Sequence, residues 1–264
     1  DSLKYGFLKF GLDYTNGAIE RGNFATRLDY LLTRMPNGAI RCMGATGVGY
    51  VMYDTVIFDL DGTLLNTLDD LCDSTNYALK THGMPARTIE EVRQFVGNGI
   101  RKLIERAVPQ GTEPEELEKV YDDFKKHYDA HCNDKTGPYD GIMELLRELK
   151  KRGYKLGIAS NKVKSAVEKL NEIYFEGLMD GAAGVVDGKP TKPDPYMVDE
   201  MLKELGSDKE HTLYVGDSQV DVRTAFNTGL DMVAVLWGFR DKEVLMEAGA
   251  TRFIEQPSQL LNYL

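Results

Sequence analysis

The sequence predicts a parallel α/β sheet with helices on both faces, interrupted after its first strand by a block made only of helices. Three observations carry this reading. Short apolar runs at 55–60, 154–159, 181–186, 212–215 and 232–236 are separated by stretches with helical spacing, the alternation that joins parallel strands by helical crossovers. Residues 68 to about 136 keep helical periodicity throughout and show no strand signal. Polar turns rich in Asp, Ser and Gly follow several of the strands, at the carboxyl ends where open α/β sheets bind ligands.

The elements follow in order. Thr55-Val-Ile-Phe-Asp-Leu60 is a buried strand stopped by Asp-Gly. Leu68, Leu71, Thr75, Ala78 and Leu79 share a helix face that His82-Gly83 closes. Thr88 with Glu91 three residues on forms a capping box for a helix carrying Ile89, Val92, Phe95 and Val96, and Gly97-Asn98-Gly99 breaks it. Ile100, Leu103, Ile104 and Ala107 line another helix, and Leu117, Val120, Tyr121, Phe124 and Tyr128 a longer one. Ile142 to Leu149 form a helix ended by Gly153, Tyr154–Ala159 a strand, and Val163, Ala166, Val167 and Leu170 the next helix. The remaining strands alternate with helices centred near 200 and 224.

Composition limits what the chain can do. Its 264 residues, 42% hydrophobic and 28% charged, suffice for a large core without disulfides or metals. A net charge of −10 disfavours broad binding to nucleic acid or to anionic membranes, so a small anionic substrate must be held by local cations. Cys42, Cys72 and Cys132 are odd in number and far apart, with no metal-knuckle or disulfide pattern, and no run approaches the roughly 18 apolar residues of a membrane span. A soluble, cytoplasmic protein, monomer or homodimer, is expected.

A seam falls near residue 52. Residues 1–51 carry six basic and four acidic side chains, and residues 52–264 carry 26 and 38, so the charge changes sign there. Upstream lie eight glycines and apolar runs without sustained period, the best helical candidate being Phe24–Leu32. The chain opens on Asp1, and residues 1–51 read as an in-frame extension ahead of a 213-residue enzyme starting at Met52. A transit peptide fits less well, because Asp13, Glu20 and Asp29 are unwelcome in one; a small accessory module is the other reading.

Four strand-end groups are chemically matched. In Asp59-Leu-Asp61-Gly-Thr63, two carboxylates two residues apart on a turn can address one pocket, one as nucleophile or metal ligand and one as acid/base. Ser160-Asn161 offers a hydroxyl where a helix opens, suited to a phosphoryl oxygen. Lys192, braced by Pro193 and Pro195, is a point charge for phosphate, with Lys189 as competitor. Gly216-Asp217-Ser-Gln-Val-Asp221 supplies a carboxylate, Asp217, to complete an oxygen-rich Mg²⁺ site with Asp59, and a second, Asp221, to orient Lys192. Singly, each has a plain structural reading: an acidic turn, a Ser cap, a solvated lysine, a common loop. Four in this order at strand ends make coincidence a poor account.

These motifs resemble the four signatures of the haloacid dehalogenase-like hydrolase superfamily over residues 52 to about 260, nearest to its phosphoglycolate phosphatase-like branch. The resemblance implies a Rossmann-like parallel sheet core, 52–67 and 137–264, with an inserted all-helical cap, 68–136. It implies Asp59 as the nucleophile that forms an aspartyl-phosphate and Asp61 as the acid, then base. Mg²⁺ would be held by Asp59, the Asp61 main-chain carbonyl and Asp217. Ser160, Asn161 and Lys192 would hold the phosphoryl oxygens, with Thr63 beside them and Asp221 in support. Gly97, Asn98, Gly99 and Arg101 match a cap loop that faces the substrate. The expected partner is a small phosphorylated metabolite.

Rival readings differ in testable ways. A dehalogenase would not need the acid at Asp61. A sugar phosphomutase or pyrophosphatase would keep all four motifs, but the family's mutases usually carry Val where Thr63 stands. A non-enzymatic phosphate-binding protein would have lost a catalytic acid. His127, His131 and Cys132 read as a solvated helix face rather than a metal site, Tyr121, Phe124 and Tyr128 as packing within the insert, and Trp237-Gly238 as closing the core near the site.

Overall fold

A computed structural model of the protein describes residues 53–264 and the strand segments 31–34, 40–44 and 47–51. The chain divides into two units, residues 1–51 and 52–264. In the first, β1 (Leu31–Arg34), β2 (Ile40–Gly44) and β3 (Gly47–Val51) form an antiparallel meander. Most of the helical candidate at 24–32 lies outside the described residues. Its last two positions, Leu31 and Leu32, are not helical but pair across β1 and β2 with Met43 and Cys42.

The second unit is built on six strands: β4 (Thr55–Phe58), β7 (Lys155–Val163), β8 (Gly181–Val185), β9 (Thr212–Gly216), β10 (Asp231–Val235) and β11 (Phe253–Ile254). All are parallel, in the order β8-β7-β4-β9-β10-β11. The first three strands in sequence thus step one way from β4 and the last three step the other way. The sheet reverses between β4 and β9, the crevice in which doubly wound folds place their ligands. The central strands are buried along their whole length, as a sheet covered on both faces requires. Helices α7 (Tyr196–Leu205) and α8 (Gln219–Thr228) pack Met197, Met201 and Ala225 against Ile57 and Tyr214 of one face. β11 is too short for sequence periodicity to register.

Between β4 and β7 the chain makes four helices: α1 (Leu68–Thr81), α2 (Ile89–Phe95), α3 (Ile100–Ala107) and α4 (Pro114–His131). The Thr88–Glu91 capping box is formed in both directions. The helices share a core of their own, with Leu71, Leu79, Leu103, Ile104 and Phe124 buried together. The two connections to the sheet pair with each other as β5 (Leu65–Asn66) and β6 (Gly137–Pro138), a short antiparallel ribbon. Buried Asp70 on α1 clamps that ribbon's exit, accepting bonds from the main-chain N–H groups of Lys135 and Thr136 and from the Thr136 hydroxyl.

One local expectation is corrected. Helix α5 (Ile142–Lys151) leads into β7, but Ser160 does not open a helix: β7 runs on to Val163, with a register shift against β8 between Ala159 and Val163, and α6 (Lys164–Phe175) begins only afterwards. A register shift of this kind changes which way the side chains at a strand end point, as β-bulges beside active sites do. Gly184 permits it, since a Cβ there would lie 2.8 Å from the Lys162 carbonyl oxygen.

Candidate active site

Asp59 follows β4 directly, its N–H still donating to the Val215 carbonyl, so the sheet itself fixes where the carboxylate emerges. The turn after it needs Gly62 at φ +89°, and a Cβ there would lie 2.3 Å from Asp217 Oδ2. Gly238, past the end of β10, is under the same constraint at the same distance from the Asp217 Cβ. Two glycines thus cradle Asp217. Its Oδ2 accepts the Phe239 N–H at 2.6 Å and its Oδ1 faces the Thr63 hydroxyl at 3.4 Å.

Lys192 reaches this cluster from the loop before α7 and is 3% exposed. Its ammonium donates to Asp59 Oδ1 at 2.8 Å, Asp221 Oδ1 at 2.8 Å and the Tyr214 hydroxyl at 3.0 Å, so all three of its N–H bonds are in use. Asp221 in turn caps α8 through Ser218, its Oδ2 accepting both the Ser218 N–H and hydroxyl. Burial opposes the charge on Lys192, but Asp221 and Asp59 outweigh it and hold the ammonium well above its usual range. Burial, then the proximity of Asp221, pushes the Asp59 carboxyl well above the usual carboxylate range against the pull of Lys192. Burial and Asp221 raise Asp217 to about 7. Three buried carboxylates face one lysine, an imbalance that low-dielectric surroundings make costly.

That imbalance is also the test of whether a divalent cation fits. Oxygens of Asp59, Asp217 and Asp221 lie within 4.8 Å of one another. The donors are all hard oxygens, which suits Mg²⁺, and Asp221 is already committed to Lys192, Tyr214 and Ser218. The residues present fit the ion.

Asp61 stands across the cavity, with Oδ1 2.9 Å from Lys162 Nζ. Lys162 is 5% exposed and also donates to the Tyr128 hydroxyl of α4 at 2.6 Å. Ser160 lines the cavity, its Oγ accepting the Lys162 N–H at 3.2 Å, which leaves its O–H proton for another acceptor. Asn161 is a tie. Its amide donates to the Lys192 carbonyl and to the Gly97 carbonyl of the insert, and its Oδ1 accepts the Lys192 N–H.

Asp59, Asp61, Gly97, Gly99, Ser160, Asn161, Lys192 and Asp217 therefore border one cavity. Thr63 and Asp221 stand behind Asp217 and Lys192. Two residues of the insert loop are not brought in. Arg101 is turned onto the helical surface, held by both oxygens of Glu118 at 2.7 and 2.6 Å and by Glu105, and Asn98 accepts from Arg106. Lys189 lies over the Tyr196 ring, leaving Lys192 as the lysine of the site. Sequence reasoning missed Tyr214, Lys162, Tyr128 and Arg240. Arg240 follows β10 in the same strand-end position as the other groups, the one signal that marked it.

Fold and site together define an α/β enzyme with a carboxylate cluster, braced by lysine, at the switch point of its sheet. A family model described as haloacid dehalogenase-like hydrolase matches residues 56–235, and the chain belongs to that family as a phosphoric monoester hydrolase. Over 196 residues, covering 72% of this chain and 85% of the relative, it is 36% identical to a phosphoglycolate phosphatase of Mesorhizobium japonicum. It is 29% identical over 211 residues, 79% of this chain and 93% of the relative, to the N-acetylmuramic acid 6-phosphate phosphatase of Pseudomonas aeruginosa. A crystal structure from Lactobacillus delbrueckii subsp. bulgaricus superposes with a TM-score of 0.76 at 34% identity, covering 80% of this chain and 97% of that one. No helix among the described residues is long and apolar enough to cross a membrane.

Proposed function

We propose that the enzyme hydrolyses a small phosphate monoester of the phosphoglycolate type through an aspartyl-phosphate on Asp59. The observation that carries this reading is the fixed pair of carboxylates at the end of β4: Asp59 pinned by Lys192, and Asp61 facing the same cavity from the next turn. Asp59 attacks phosphorus, and the bond to the leaving alkoxide breaks as Asp61 gives that oxygen a proton. Asp61 then takes a proton from water as its oxygen attacks phosphorus, releasing inorganic phosphate and restoring Asp59. The Ser160 hydroxyl is free to donate to a phosphoryl oxygen, and Lys192 orients the attacking carboxylate within a fixed positive field. Asp59, Asp217 and the Asp61 carbonyl would hold Mg²⁺, which when bound offsets the repulsion between an anionic nucleophile and an anionic phosphate.

The helical insert at 68–136 acts as a cap in this reading, and the core comprises 52–67 and 137–264. Support comes from the space left beneath it. The cavity is lined from both sides, by Leu71, Val96, Gly97 and Leu103 of the insert and by Asp59, Ser160 and Lys192 of the core, so movement of the insert would open and close the path to Asp59.

One experiment tests nucleophile and metal together. Turnover of 2-phosphoglycolate is measured for the wild type and Asp59→Asn, each with Mg²⁺ and with excess chelator. The variant is expected to lose at least about 10³-fold in kcat while keeping its thermal midpoint. Chelator should silence the wild type, and Mg²⁺ should restore it. An Asp59→Asn enzyme within tenfold of wild type excludes Asp59 as nucleophile, and full activity in chelator excludes the metal.

A further inference from the structure

We propose that Lys162 recognises an anionic group on the leaving side of the substrate, close to the scissile oxygen. The inference rests on the monoester reading above and names the residue that would set its selectivity. Three cationic side chains reach the cavity among the described residues: Lys192, Arg240 and Lys162. Two are exhausted. The three N–H bonds of Lys192 are all taken by Asp59, Asp221 and Tyr214. Arg240 spends its five on the Gln219 side chain and on the carbonyls of Arg93, Phe239, Gln94 and Val96.

Lys162 alone keeps a donor in reserve. Its ammonium serves Asp61 and Tyr128, two acceptors for three N–H bonds, and lines the cavity. Since Asp61 is the group that meets the leaving oxygen, the spare N–H of Lys162 faces the part of the substrate that departs. The walls around that part are apolar: Leu71, Val96, Ile100, Leu103 and Phe239. A second anion on the substrate thus has one place to go. The insert residue that the sequence offered for the task, Arg101, is neutralised by Glu118 and Glu105. Tyr128, carried by α4, fixes the ammonium only when the insert is seated on the core, so recognition and closure share one contact.

The test compares 2-phosphoglycolate with ethyl phosphate, a monoester of the same chain length without the carboxylate. The quantity read is the ratio of their kcat/KM values in wild type, Lys162→Met and Tyr128→Phe, all with Mg²⁺. In wild type the carboxylate ester is expected to be preferred. A charge-assisted hydrogen bond corresponds to roughly 10- to 100-fold, and Lys162→Met should erase that preference. Tyr128→Phe keeps the ring and the packing of α4 and should reduce the ratio by about threefold, so the proposal survives testing even if Lys162→Met does not fold. If Lys162 merely positions Asp61, both esters slow together and the ratio holds, which overturns the assignment. Turnover of ethyl phosphate as good as that of phosphoglycolate in wild type overturns it too, while leaving the phosphatase reading intact. Turnover of neither ester overturns both.

Discussion

The attacking side and the leaving side of the cavity are built on opposite plans. On the attacking side the charged groups are tightly held: Lys192 has no free N–H, Asp221 bonds through both oxygens, and Asp217 is wedged between glycines. Its groups come from the end of β4, from β9 and the turn after it, and from the loop before α7. The leaving side joins the insert to the core, and there the walls are largely apolar and one lysine has a donor to spare. Chemistry that must not vary is held by a saturated network, and selection is left to a surface that can separate. Rigid elements with locked partners hold reacting groups more accurately than loops do.

The sharpest way to break this contrast is to empty the attacking side of its cation. Lys192→Met leaves Asp59 and Asp221 buried without a counter-charge, which costs on the order of 3–5 kcal/mol. The variant should melt well below wild type and lose at least about 10²-fold in kcat, a loss typical of removing a fixed electrostatic stabiliser. Circular dichroism melts and steady-state kinetics read both. A Lys192→Met enzyme that retains wild-type melting would show that the network is not the tightly coupled unit described.

The same contrast explains what the sequence disclosed. The carboxylates were legible because they closely follow apolar strands, Asp59 and Asp61 one and three places after β4, Asp217 and Asp221 one and five places after β9. Five of the six sheet strands were readable for the same reason. Tyr214 was not, since it lies inside β9 and reads as one more buried aromatic; only the fold brings its hydroxyl to Lys192. The contact of Lys162 with Tyr128 spans 34 residues and two structural blocks. Arg101 failed in the other direction. A motif position predicts that a loop lies near the cavity, but the acidic neighbours Glu105 and Glu118, on α3 and α4, decide where the guanidinium goes. The β5–β6 ribbon is two residues a side, below the length at which a period can be seen.

A smaller effect is expected where insert and core are latched. Four consecutive residues after β10 serve both: Trp237 donates to the Thr63 carbonyl, Gly238 lies against Asp217, Phe239 packs into the core of the insert, and Arg240 gathers carbonyls at the C-terminal end of α2. A buried guanidinium at a helix C-terminus satisfies orphan carbonyls and complements the helix dipole. Arg240→Gln should loosen closure while leaving every hydrogen bond of the carboxylates in place. We expect kcat/KM to fall by about tenfold, with faster amide exchange at 93–99 and unchanged exchange along β4 and β9. Equal acceleration in both regions would mean that the two sides are one cooperative unit.

The smallest effect isolates the insert by pH. His82 ends α1 and is held between Glu116 at 2.6 Å and Asp123 at 3.0 Å, both on α4. Burial disfavours its charge, but the bonds to Glu116 and Asp123 prevail and raise its pKa above the ordinary value. A raised folded-state pKa means that the contribution is complete below about pH 6.5, the unfolded value, and is lost as pH climbs through the folded value. The pair of bonds ties α1 to α4 and involves none of the residues that line the cavity, so its loss should soften the insert and leave the attacking side alone. The thermal midpoint of wild type minus that of His82→Gln is therefore expected to be positive at pH 6 and to shrink by pH 9. With substrate saturating, kcat of the two proteins should track each other across the same range. A difference in melting that is flat with pH would show that His82 stabilises the insert by packing rather than by charge.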